Sequence, residues 1–365
     1  MTILVDARPL LNPPHGGIPR VTLEILCAYA ETYPNDKLLC ITTGHTQLQL
    51  PSRLTTFSNV THLHLRIPNK LWSALSFLNL VSMTHAAEQR GHTIDAIFFP
   101  NLGFIGRINR PYSLLLHDLS FLIEPRWFSL KSRLWHRAVH ARKLIQNATT
   151  LFSVSETTKR DAVQLLNIPE NRIHVIQMGQ TITQDLQTEQ TRPTSLPARY
   201  VLSMGLNDPR KNVHTVIDAV ERLRQEKSFQ DLQLIIVGTP ERHPTRQHAE
   251  WIHIAVHPTD KDLATLYRFA SAFAYPSWYE GYGLPLHEAA MYGTPRVAST
   301  TGALPETAPE GTIFANPAKP QHWVEAMRHA VGMENGKINK TPMNWETTAK
   351  TLHDQFKKYQ RPSIS

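Results

Sequence analysis

The feature of this sequence that most constrains its fold is the alternation of short apolar runs with longer mixed segments. The runs are bounded by Gly, Pro or polar residues, which is typical of buried strands. Strands are predicted at residues 2–5, 37–41, 60–65, 94–99, 113–116, 150–155, 173–176, 200–204, 232–238, 272–275 and 296–299. Helices are predicted between several of them, at 18–30, 213–223, 263–270, 284–293, 320–331 and 345–359. Strands that alternate with helices favour a parallel α/β sheet.

The length of 365 residues allows two domains with substantial cores. Residues 184–199 are rich in Thr, Gln, Pro and Ser and poor in apolar residues, which predicts a linker. The boundaries that follow are 1–183 for a first domain, 200–343 for a second, and 344–365 for a terminal segment.

Net charge and cysteine content restrict the cellular compartment and the class of ligand that the sequence predicts. The start, Met1-Thr-Ile-Leu-Val-Asp6, lacks the basic region of a secretory signal, and two cysteines favour buried thiols in a reducing cytoplasm. The net charge of +8 suits an anionic ligand or membrane surface. No nucleic-acid motif accompanies it, so no nucleic-acid partner is expected.

A basic, tryptophan-bearing segment spans residues 126–145. Its aromatic and aliphatic residues alternate with Lys and Arg, so it could lie in a membrane interface. Packing of the apolar face on the helix's own domain is the favoured interpretation. Peripheral contact with the cytoplasmic face of a membrane stays open.

A glycine-rich loop is predicted between the strand at 272–275 and the next helix. Gly281 and Gly283 let the backbone approach a ligand closely. N–H groups at the N-terminus of a helix that starts near Leu284 form an anion site suited to a diphosphate. Glu280 lies in the loop and Glu288 within the helix, so one carboxylate can face the reacting end of a ligand while the other reaches hydroxyl groups further along.

This segment resembles a motif of a known enzyme family. Glu280-Gly-Tyr-Gly-Leu-Pro-Leu-His-Glu288 matches the usual Glu-Gly-Phe-Gly-Leu-Pro-x-x-Glu of glycosyltransferase family 4, and the flanking Pro276-Ser277 and Gly293-Thr-Pro295 match as well. The resemblance implies the α/β GT-B fold, with two Rossmann-like domains facing each other across a cleft. It covers almost the whole chain and implies that the terminal helix crosses back onto the first domain.

The resemblance also implies roles for these residues in a retaining transfer from a nucleotide-sugar donor. Glu280 would orient the sugar hydroxyl groups, and Glu288 would accept hydrogen bonds from the ribose. The backbone N–H groups expected to contact the phosphate and sugar are those of Gly281, Tyr282, Gly283 and Leu284.

A second loop of the same domain matches the family's Pro-Arg-Lys-Asn, in Asp208-Pro-Arg-Lys-Asn212. A surface Arg-Lys pair is ordinarily just solvated, but this match and the loop position favour a diphosphate clamp. Arg210 would supply a fork of donors and Lys211 a point charge. Gly205 and Gly238 follow strands at the same predicted sheet edge and are candidate nucleotide contacts.

The opening segment resembles a branch of the family that includes mannosyltransferases. Asp6-Ala-Arg-Pro-Leu10, Gly16-Gly17 and Arg20 match its Asp-x-Arg…Gly-Gly-Ile-x-Arg, although Val21 replaces the usual Tyr. Gly16 and Gly17 are candidate donor contacts. Arg20 is a candidate contact for an acceptor phosphate or the donor diphosphate, with an ordinary surface arginine as the alternative.

His117 and Asp118 follow the strand at 113–116, where ligands of open α/β sheets bind. From the residues alone, a loop-bonded histidine and a turn-capping aspartate are favoured. The resemblance of His117-Asp-Leu-Ser-Phe121 to the family's His-Asp-Leu implies that His117 lies beside the transferred sugar. Asp118 is then a candidate acceptor contact.

No metal and no other cofactor is expected. Asp260-Lys-Asp262 has the spacing of a cation-binding Asp-x-Asp, but it directly precedes a helical pattern, and acids at a helix start explain it. No Gly-x-Gly-x-x-Gly follows any predicted strand, which disfavours a dinucleotide.

The sequence therefore predicts a metal-independent, retaining glycosyltransferase with Glu280, His117, Lys211 and Arg210 as catalytic candidates. GDP-mannose is the first donor candidate, with a UDP-sugar as the alternative, and the acceptor is expected to be a polysaccharide or lipid-linked glycan. A hydrolase using Glu280 and Glu288 as an acid/base pair and an inactive sugar-nucleotide-binding relative are the other hypotheses.

Overall fold

The computed structural model describes residues 1–11, 16–179, 191–239, 249–334 and 344–359. They form two compact units: residues up to 179 with 344–359 make one, and 191–334 make the other. Residues 184–190 of the expected linker lie outside the described residues, and 191–199 belong to the second unit.

The first unit is built on a parallel sheet. Its strands within the described residues are β1 (Thr2–Asp6), β2 (Lys37–Thr43), β3 (Val60–Leu65), β4 (Ala96–Phe99), β5 (Ser113–Leu116), β6 (Thr150–Ser153) and β7 (Ile173–Val175), in the order β3-β2-β1-β4-β5-β6-β7. Every pairing in it is parallel. The helices of this part of the chain are α1 (Gly17–Thr32), α2 (Ser52–Thr55), α3 (Asn69–Phe77), α4 (Met83–Glu88), α5 (Ser120–Ile123), α6 (Leu130–Ala138), α7 (Ala141–Asn147) and α8 (Glu156–Leu166).

The second unit repeats the plan. Its strands within the described residues are β8 (Tyr200–Met204), β9 (Gln233–Val237), β10 (Ile252–Ala255), β11 (Ala272–Tyr275), β12 (Arg296–Ser299) and β13 (Thr312–Ala315), in the order β10-β9-β8-β11-β12-β13. All are parallel. The helices here are α9 (Val213–Leu223), α10 (Asp260–Phe269), α11 (Leu284–Met291), α12 (Leu304–Thr307) and α13 (Pro320–Val331). The prediction of parallel α/β sheets is confirmed for both units.

Both faces of the second sheet are covered. Successive residues of a strand point to opposite faces, so Val201 of β8 packs in one core with α9 and α13, whereas Tyr200 and Leu202 pack in another with α10 and α11. A strand buried on both faces needs apolar residues at consecutive positions rather than at alternate ones. This is why the strand signals in the sequence are short continuous runs.

The last helix, α14 (Trp345–Lys357), belongs to the first unit and packs on α1. The ring of His353 stacks on Tyr33 with centroids 3.7 Å apart, and its Nδ1 lies 2.9 Å from Asp36 Oδ2. The Tyr29 hydroxyl donates to the same oxygen, Asp36 Oδ2, at 2.8 Å. Buried Phe356 extends the contact into the core beside Phe98.

The favoured interpretation of residues 126–145, packing of the apolar face on its own domain, is confirmed for α7 and wrong for α6: Ile145 of α7 is buried and Leu144 packs on the same core. The segment forms two helices, α6 and α7, which meet at His140 in a left-handed conformation (φ 53°). No residue of α6 is buried, and Leu130 and Leu134 are 65% and 53% exposed. The apolar face of α6 is therefore not covered by its own unit.

Candidate functional site

Two loops of the second unit leave the sheet at the point where its strand order reverses. β8 and β11 are neighbours, but the chain reaches β11 only after β9 and β10 on the far side of β8. Ligands of doubly wound sheets bind outside the carboxyl ends of the strands at such a point. Residues 205–212 follow β8 and residues 276–283 follow β11, so these loops are the natural place for a site.

The loop after β8 directs two cations through local geometry. Asp208 caps a short 3-10 turn by accepting a hydrogen bond from the backbone N–H of Arg210 (3.0 Å). Gly205 has φ +91°, and a Cβ there would lie 2.4 Å from Cγ of Lys211. Gly205 is therefore required so that the Lys211 side chain can lie against the loop backbone.

Glu280 brings the two loops together. Lys211 Nζ lies 2.7 Å from Glu280 Oε1, and Arg210 Nη1 lies 3.0 Å from Glu280 Oε2. Arg210 Nη2 also contacts Asp208 Oδ2 at 3.0 Å. Lys211 donates a further hydrogen bond to the hydroxyl of Tyr275 and lies 4.6 Å from the centre of that ring. The predicted catalytic candidates Glu280, Lys211 and Arg210 thus form one cluster.

Burial and neighbouring charges shift the pKa values of Glu280 and Lys211 in opposite directions. The Glu280 side chain is only 9% exposed. Burial by itself would raise the pKa of Glu280, but the Lys211 and Arg210 cations outweigh it and hold the pKa at about 2. Burial lowers the pKa of Lys211, opposed by the Glu280 carboxylate. Glu280 is consequently a carboxylate at neutral pH, able to accept hydrogen bonds but not to donate a proton.

Backbone contacts brace the cluster. Arg210 Nη1 donates to the carbonyl of Tyr279 (2.8 Å), and the N–H of Trp278 donates to the carbonyl of Arg210 (2.8 Å). Gly302, at φ +61°, approaches so closely that a Cβ there would lie 2.7 Å from the backbone nitrogen of Glu280. The next residue, Ala303, donates its N–H to the carbonyl of Glu280 (2.9 Å). Glu280 is thus held from its backbone as well as from its side chain.

The N-terminus of α11 follows Glu280 directly. Gly283 is its N-cap, with φ +98°, and a Cβ there would lie 2.5 Å from Leu304 Cδ2. Gly281 is buried, and Leu284 is the first helical residue. The ring of Tyr282 stacks on His287 at 4.9 Å between centroids. The first N–H groups of a helix have no partner within it, so this end provides the geometry of an anion site.

Glu288 and Gly238 complete the predicted donor contacts in this unit. Glu288 is buried in α11 and accepts a hydrogen bond from the Tyr267 hydroxyl (2.9 Å). Gly238 follows β9, where a Cβ would lie 3.1 Å from the backbone nitrogen of Leu206 in the loop after β8. Both residues have structural contacts, and their predicted contacts with a nucleotide stay predictions.

His117 and Asp118 lie in the first unit, where β5 ends. The Nε2 of His117 donates to the carbonyl of Pro100 (2.8 Å), since a carbonyl can only accept. Burial lowers the pKa of His117, so the ring is neutral and its Nδ1 is an acceptor. Asp118 Oδ1 accepts from the N–H (2.9 Å) and the hydroxyl (2.5 Å) of Ser120 at the start of α5. These are the loop and turn contacts expected from the residues alone.

The remaining candidates lie at the start of α1 in the same unit. Gly16 is the N-cap with φ +143°, Gly17 is the first helical residue, and Arg20 follows in the first turn. Their contacts with a donor or an acceptor stay predictions.

Two useful residues were missed in the sequence. Tyr275 contacts Lys211 from the end of β11, and Gly302 sets the position of Glu280 from a distant loop. The signal for Tyr275 was its place as the last residue of a strand before the loop. Gly302 carried no local signal, because its constraint arises from packing.

The prediction for Asp260 and Asp262 is confirmed. Asp262 forms a capping box with Thr259 at the start of α10, its carboxylate accepting from the Thr259 N–H at 3.0 Å. Within the described ranges, no group of three or more His, Cys, Asp or Glu side chains could hold a metal ion. In the same part of the chain, none of the helices has both the length and the apolar character of a membrane span.

Comparisons with known proteins show that the chain is similar to glycosyltransferases. Residues 198–332 match the family described as "Glycosyl transferases group 1". The chain is 27% identical over 247 residues to the O-antigen chain mannosyltransferase B of Escherichia coli, which covers 60% of each protein. It is 31% identical over 192 residues to the MMP alpha-(1->4)-mannosyltransferase of Mycolicibacterium hassiacum, covering 51% of this chain and 46% of the relative. The alignments thus span about half to three fifths of those relatives.

Among solved structures, sucrose-phosphate synthase from Thermosynechococcus elongatus matches with a TM-score of 0.71. The match covers 98% of both chains at 17% identity. This likeness shows a shared fold, which is the GT-B fold that the sequence predicts.

Proposed function

We propose that the protein transfers a sugar from a nucleotide-sugar donor to a glycan, on the premise that residues 198–332, most of the second unit, match the glycosyl transferases group 1 family. The observation that carries the proposal is the braced cluster of Glu280, Lys211 and Arg210 beside the N-terminus of α11. It places cations, a fixed carboxylate and a helix dipole at the edge of the sheet where ligands bind.

The two cations suit a leaving diphosphate. Lys211 has three N–H donors, of which Glu280 and Tyr275 accept two. The third can bind a phosphate oxygen without loss of either contact. As the bond between sugar and phosphate breaks, negative charge grows on the diphosphate, and preorganised cations stabilise that charge without reorganisation. This would replace the metal ion that other phosphate chemistry uses.

Glu280 suits the sugar. Its pKa of about 2 keeps it ionised, so it accepts hydrogen bonds from donor hydroxyl groups. It cannot serve as the proton donor that a glycoside hydrolase needs, so Glu280 is excluded as the acid of the hydrolase hypothesis. We propose a retaining reaction on one face of the sugar, in which the leaving phosphate accepts the proton of the attacking hydroxyl. A separate general base is then unnecessary.

We propose GDP-mannose as the first donor candidate. The names of both aligned relatives and the opening segment that resembles mannosyltransferases support mannose. A UDP-sugar with the same mechanism is the alternative. The acceptor proposed is a polysaccharide or lipid-linked glycan, by analogy with the O-antigen relative, and the proposed setting is the cytoplasm.

Thermal unfolding with a panel of nucleotides and sugar nucleotides tests the donor. A ligand at a hundredfold excess over its dissociation constant adds about 2.7 kcal/mol to stability, which raises the midpoint by a few degrees. We expect GDP and GDP-mannose to raise the unfolding midpoint, each by the same amount whether or not a metal chelator is present. A shift with UDP species would change the donor but keep the mechanism, whereas no shift with any nucleotide would mean that the chain does not bind a nucleotide-sugar donor.

A transfer assay tests the reaction. The purified protein is incubated with the stabilising donor and candidate glycan acceptors, and products are identified by mass spectrometry. We expect addition of one hexose with retained anomeric configuration, detected by nuclear magnetic resonance of the product. Release of free sugar at the same rate with and without acceptor would instead indicate a hydrolase.

A further inference from the structure

The first unit carries an exposed face that the proposed transfer does not use. This face, which we call the α3–α6 face, has large apolar side chains on two helices and the turn after α3. Its exposed members are Leu71, Phe77, Leu78, Leu80, Leu130, Leu134 and Trp135. Isolated exposed leucines are ordinary, but a contiguous group on neighbouring elements marks an interaction site.

Ring contacts show that the two helices are neighbours. Phe77 at the end of α3 stacks on His140, which follows α6, with centroids 5.7 Å apart and planes 10° apart. Trp135 of α6 meets Phe104 edge to face at 6.3 Å, and the Phe104 carbonyl accepts a hydrogen bond from Trp72 of α3 (2.7 Å). α3 and α6 are therefore neighbours on the first unit, and both carry exposed apolar side chains.

Cations surround this surface without acidic partners. The sequence has no Asp or Glu between Glu124 and Glu156, or between Arg66 and Ala87. Side chains from α5, α6 and α7 line a cavity of about 430 Å³ whose basic members are Arg133, Arg137, Arg142 and Lys143. Among the described residues, none of these four side chains pairs with a carboxylate. Elsewhere in the unit arginines such as Arg53 and Arg110 do pair, with Glu24 and Glu88.

The floor of this cavity is apolar and fixed. Phe121, Leu122 and Pro125 line it together with His136, whose ring stacks on Phe121 at 4.4 Å. The Nδ1 of His136 donates to the Ser132 carbonyl (2.9 Å) within α6. The cavity thus combines a preformed apolar wall with a rim of arginines, which bind phosphate well.

We propose that the α3–α6 face docks the protein on an anionic lipid bilayer, with the basic cavity receiving lipid phosphate groups. The apolar side chains would enter the boundary between headgroups and acyl chains, as amphipathic helices do at membrane surfaces. Trp135 suits this boundary because its ring is apolar and its N–H is polar. Uncompensated arginines match the negative surface of such a bilayer.

A bilayer explains the combination better than nucleic acid does. A phosphate backbone would neutralise the arginines but would leave the leucines of α3 and α6 in water. A bilayer presents phosphate and hydrocarbon at adjacent depths, so it satisfies both. This inference does not rest on the proposed transfer, since binding to lipid needs no donor and no acceptor.

Co-sedimentation with vesicles tests the proposal. The full chain is mixed with vesicles of phosphatidylcholine alone or with an equal part of phosphatidylglycerol. We expect binding to the anionic vesicles to be much stronger. Each cation near an anionic surface contributes roughly fivefold to the partition coefficient, so the triple variant Arg133→Gln, Arg137→Gln, Arg142→Gln should lower it by about 100-fold.

Two matched controls separate this face from general charge and hydrophobicity. The variant Arg222→Gln, Lys227→Gln, Lys319→Gln removes three exposed cations of the second unit, and we expect it to keep most of the binding. Leu130→Ser with Leu134→Ser should weaken binding at high salt, where the electrostatic part is screened. Leu48→Ser with Leu165→Ser, also exposed, should not. Thermal unfolding in each case confirms that the variant is folded.

Three outcomes would overturn the proposal. The first is equal binding by the triple variant and its charge control. The second is binding of an RNA oligonucleotide, but not of vesicles, through the same arginines. The third is a dimer in solution that the Leu130→Ser, Leu134→Ser variant converts to a monomer, which would make the face an interface between copies of the chain.

Discussion

The cluster around Glu280 and the α3–α6 face both contain several charged side chains, but these are buried and paired in the cluster and exposed and unpaired by any described carboxylate on the face. In the cluster, Lys211 and Arg210 are less than a fifth exposed and pair with carboxylates at 2.7–3.0 Å. On the α3–α6 face, Arg133, Arg137 and Arg142 are exposed and have no carboxylate partner among the described residues. A buried charge is stable only when it is paired, whereas an exposed charge is solvated by water and can bind a partner from another molecule.

The comparison separates two kinds of function. A paired, buried cluster gives fixed geometry and strong electrostatics, which suit a reaction. An unpaired, exposed face gives attraction that salt weakens, which suits docking. The following predictions either sharpen this contrast or break it.

The largest expected effect is on transfer by the Glu280→Gln variant. The amide cannot hold both cations and offers fewer acceptor sites to the sugar, so we expect the transfer rate to fall by about 100-fold or more. Product formation with saturating donor measures it. Glu325→Gln, an exposed carboxylate of α13, is the matched control, and near-normal turnover by the Glu280 variant would remove Glu280 from the mechanism.

Lys211→Met should destabilise the second unit. It leaves the buried Glu280 carboxylate with one cation instead of two, and breaking a buried pair costs about 3–5 kcal/mol. Lys211→Met combined with Glu280→Gln should recover part of that loss, because no uncompensated carboxylate is left. Urea unfolding measures all three proteins, and equal stability of the single and double variants would show that the pair is not coupled.

Gly302→Ala tests the backbone support of Glu280. The new Cβ would clash with the Glu280 nitrogen. In addition, alanine would have to adopt the left-handed backbone conformation of Gly302, which costs about 1–3 kcal/mol. We expect a lower unfolding midpoint and weaker stabilisation by the donor nucleotide. Gly311→Ala has a similar positive φ of +79° but only an arginine side-chain end nearby, so it should lower the midpoint without affecting nucleotide binding.

The acid dependence of stability should follow the pKa of Glu280. Its ordinary pKa is 4.5 and its folded pKa is about 2. The stabilisation is thus fully present above pH 4.5 and is lost as the pH falls towards 2. We expect the free energy of unfolding to fall less steeply over this range in the Lys211→Met, Glu280→Gln variant. Parallel curves would contradict the assignment.

The smallest expected effect is on stability when the α3–α6 face is changed. Arg133→Gln with Arg137→Gln removes exposed charges that make no ion pair with any residue the structure describes, so the free energy of unfolding should change by less than about 0.5 kcal/mol. Thermal unfolding at low and high salt measures this. A loss of stability would mean that these arginines hold the unit together, and the contrast with the Glu280 cluster would fail.

The sequence by itself determined the elements that carry continuous apolar runs. β11 and the starts of α10 and α11 lie where the patterns predicted them, with Gly293 in a left-handed conformation (φ 71°) just after α11. The grouping of Arg210, Lys211 and Glu280 was also predictable, because the carboxyl ends of neighbouring parallel strands share one edge. β10 and β13 were missed: they are edge strands, and each has only one buried residue.

For the remaining residues, only the tertiary structure decided whether a side chain is buried or exposed and which distant residues it contacts. The periodicity of residues 126–145 predicts an apolar face but not its partner, and the structure leaves α6 uncovered. Tyr275 and Gly302 acquire their contacts from residues far away in the sequence. The physical reason is that local pattern sets backbone conformation and the side of an element that is apolar. Burial, pairing and pKa instead depend on which distant side chains arrive within a few ångströms.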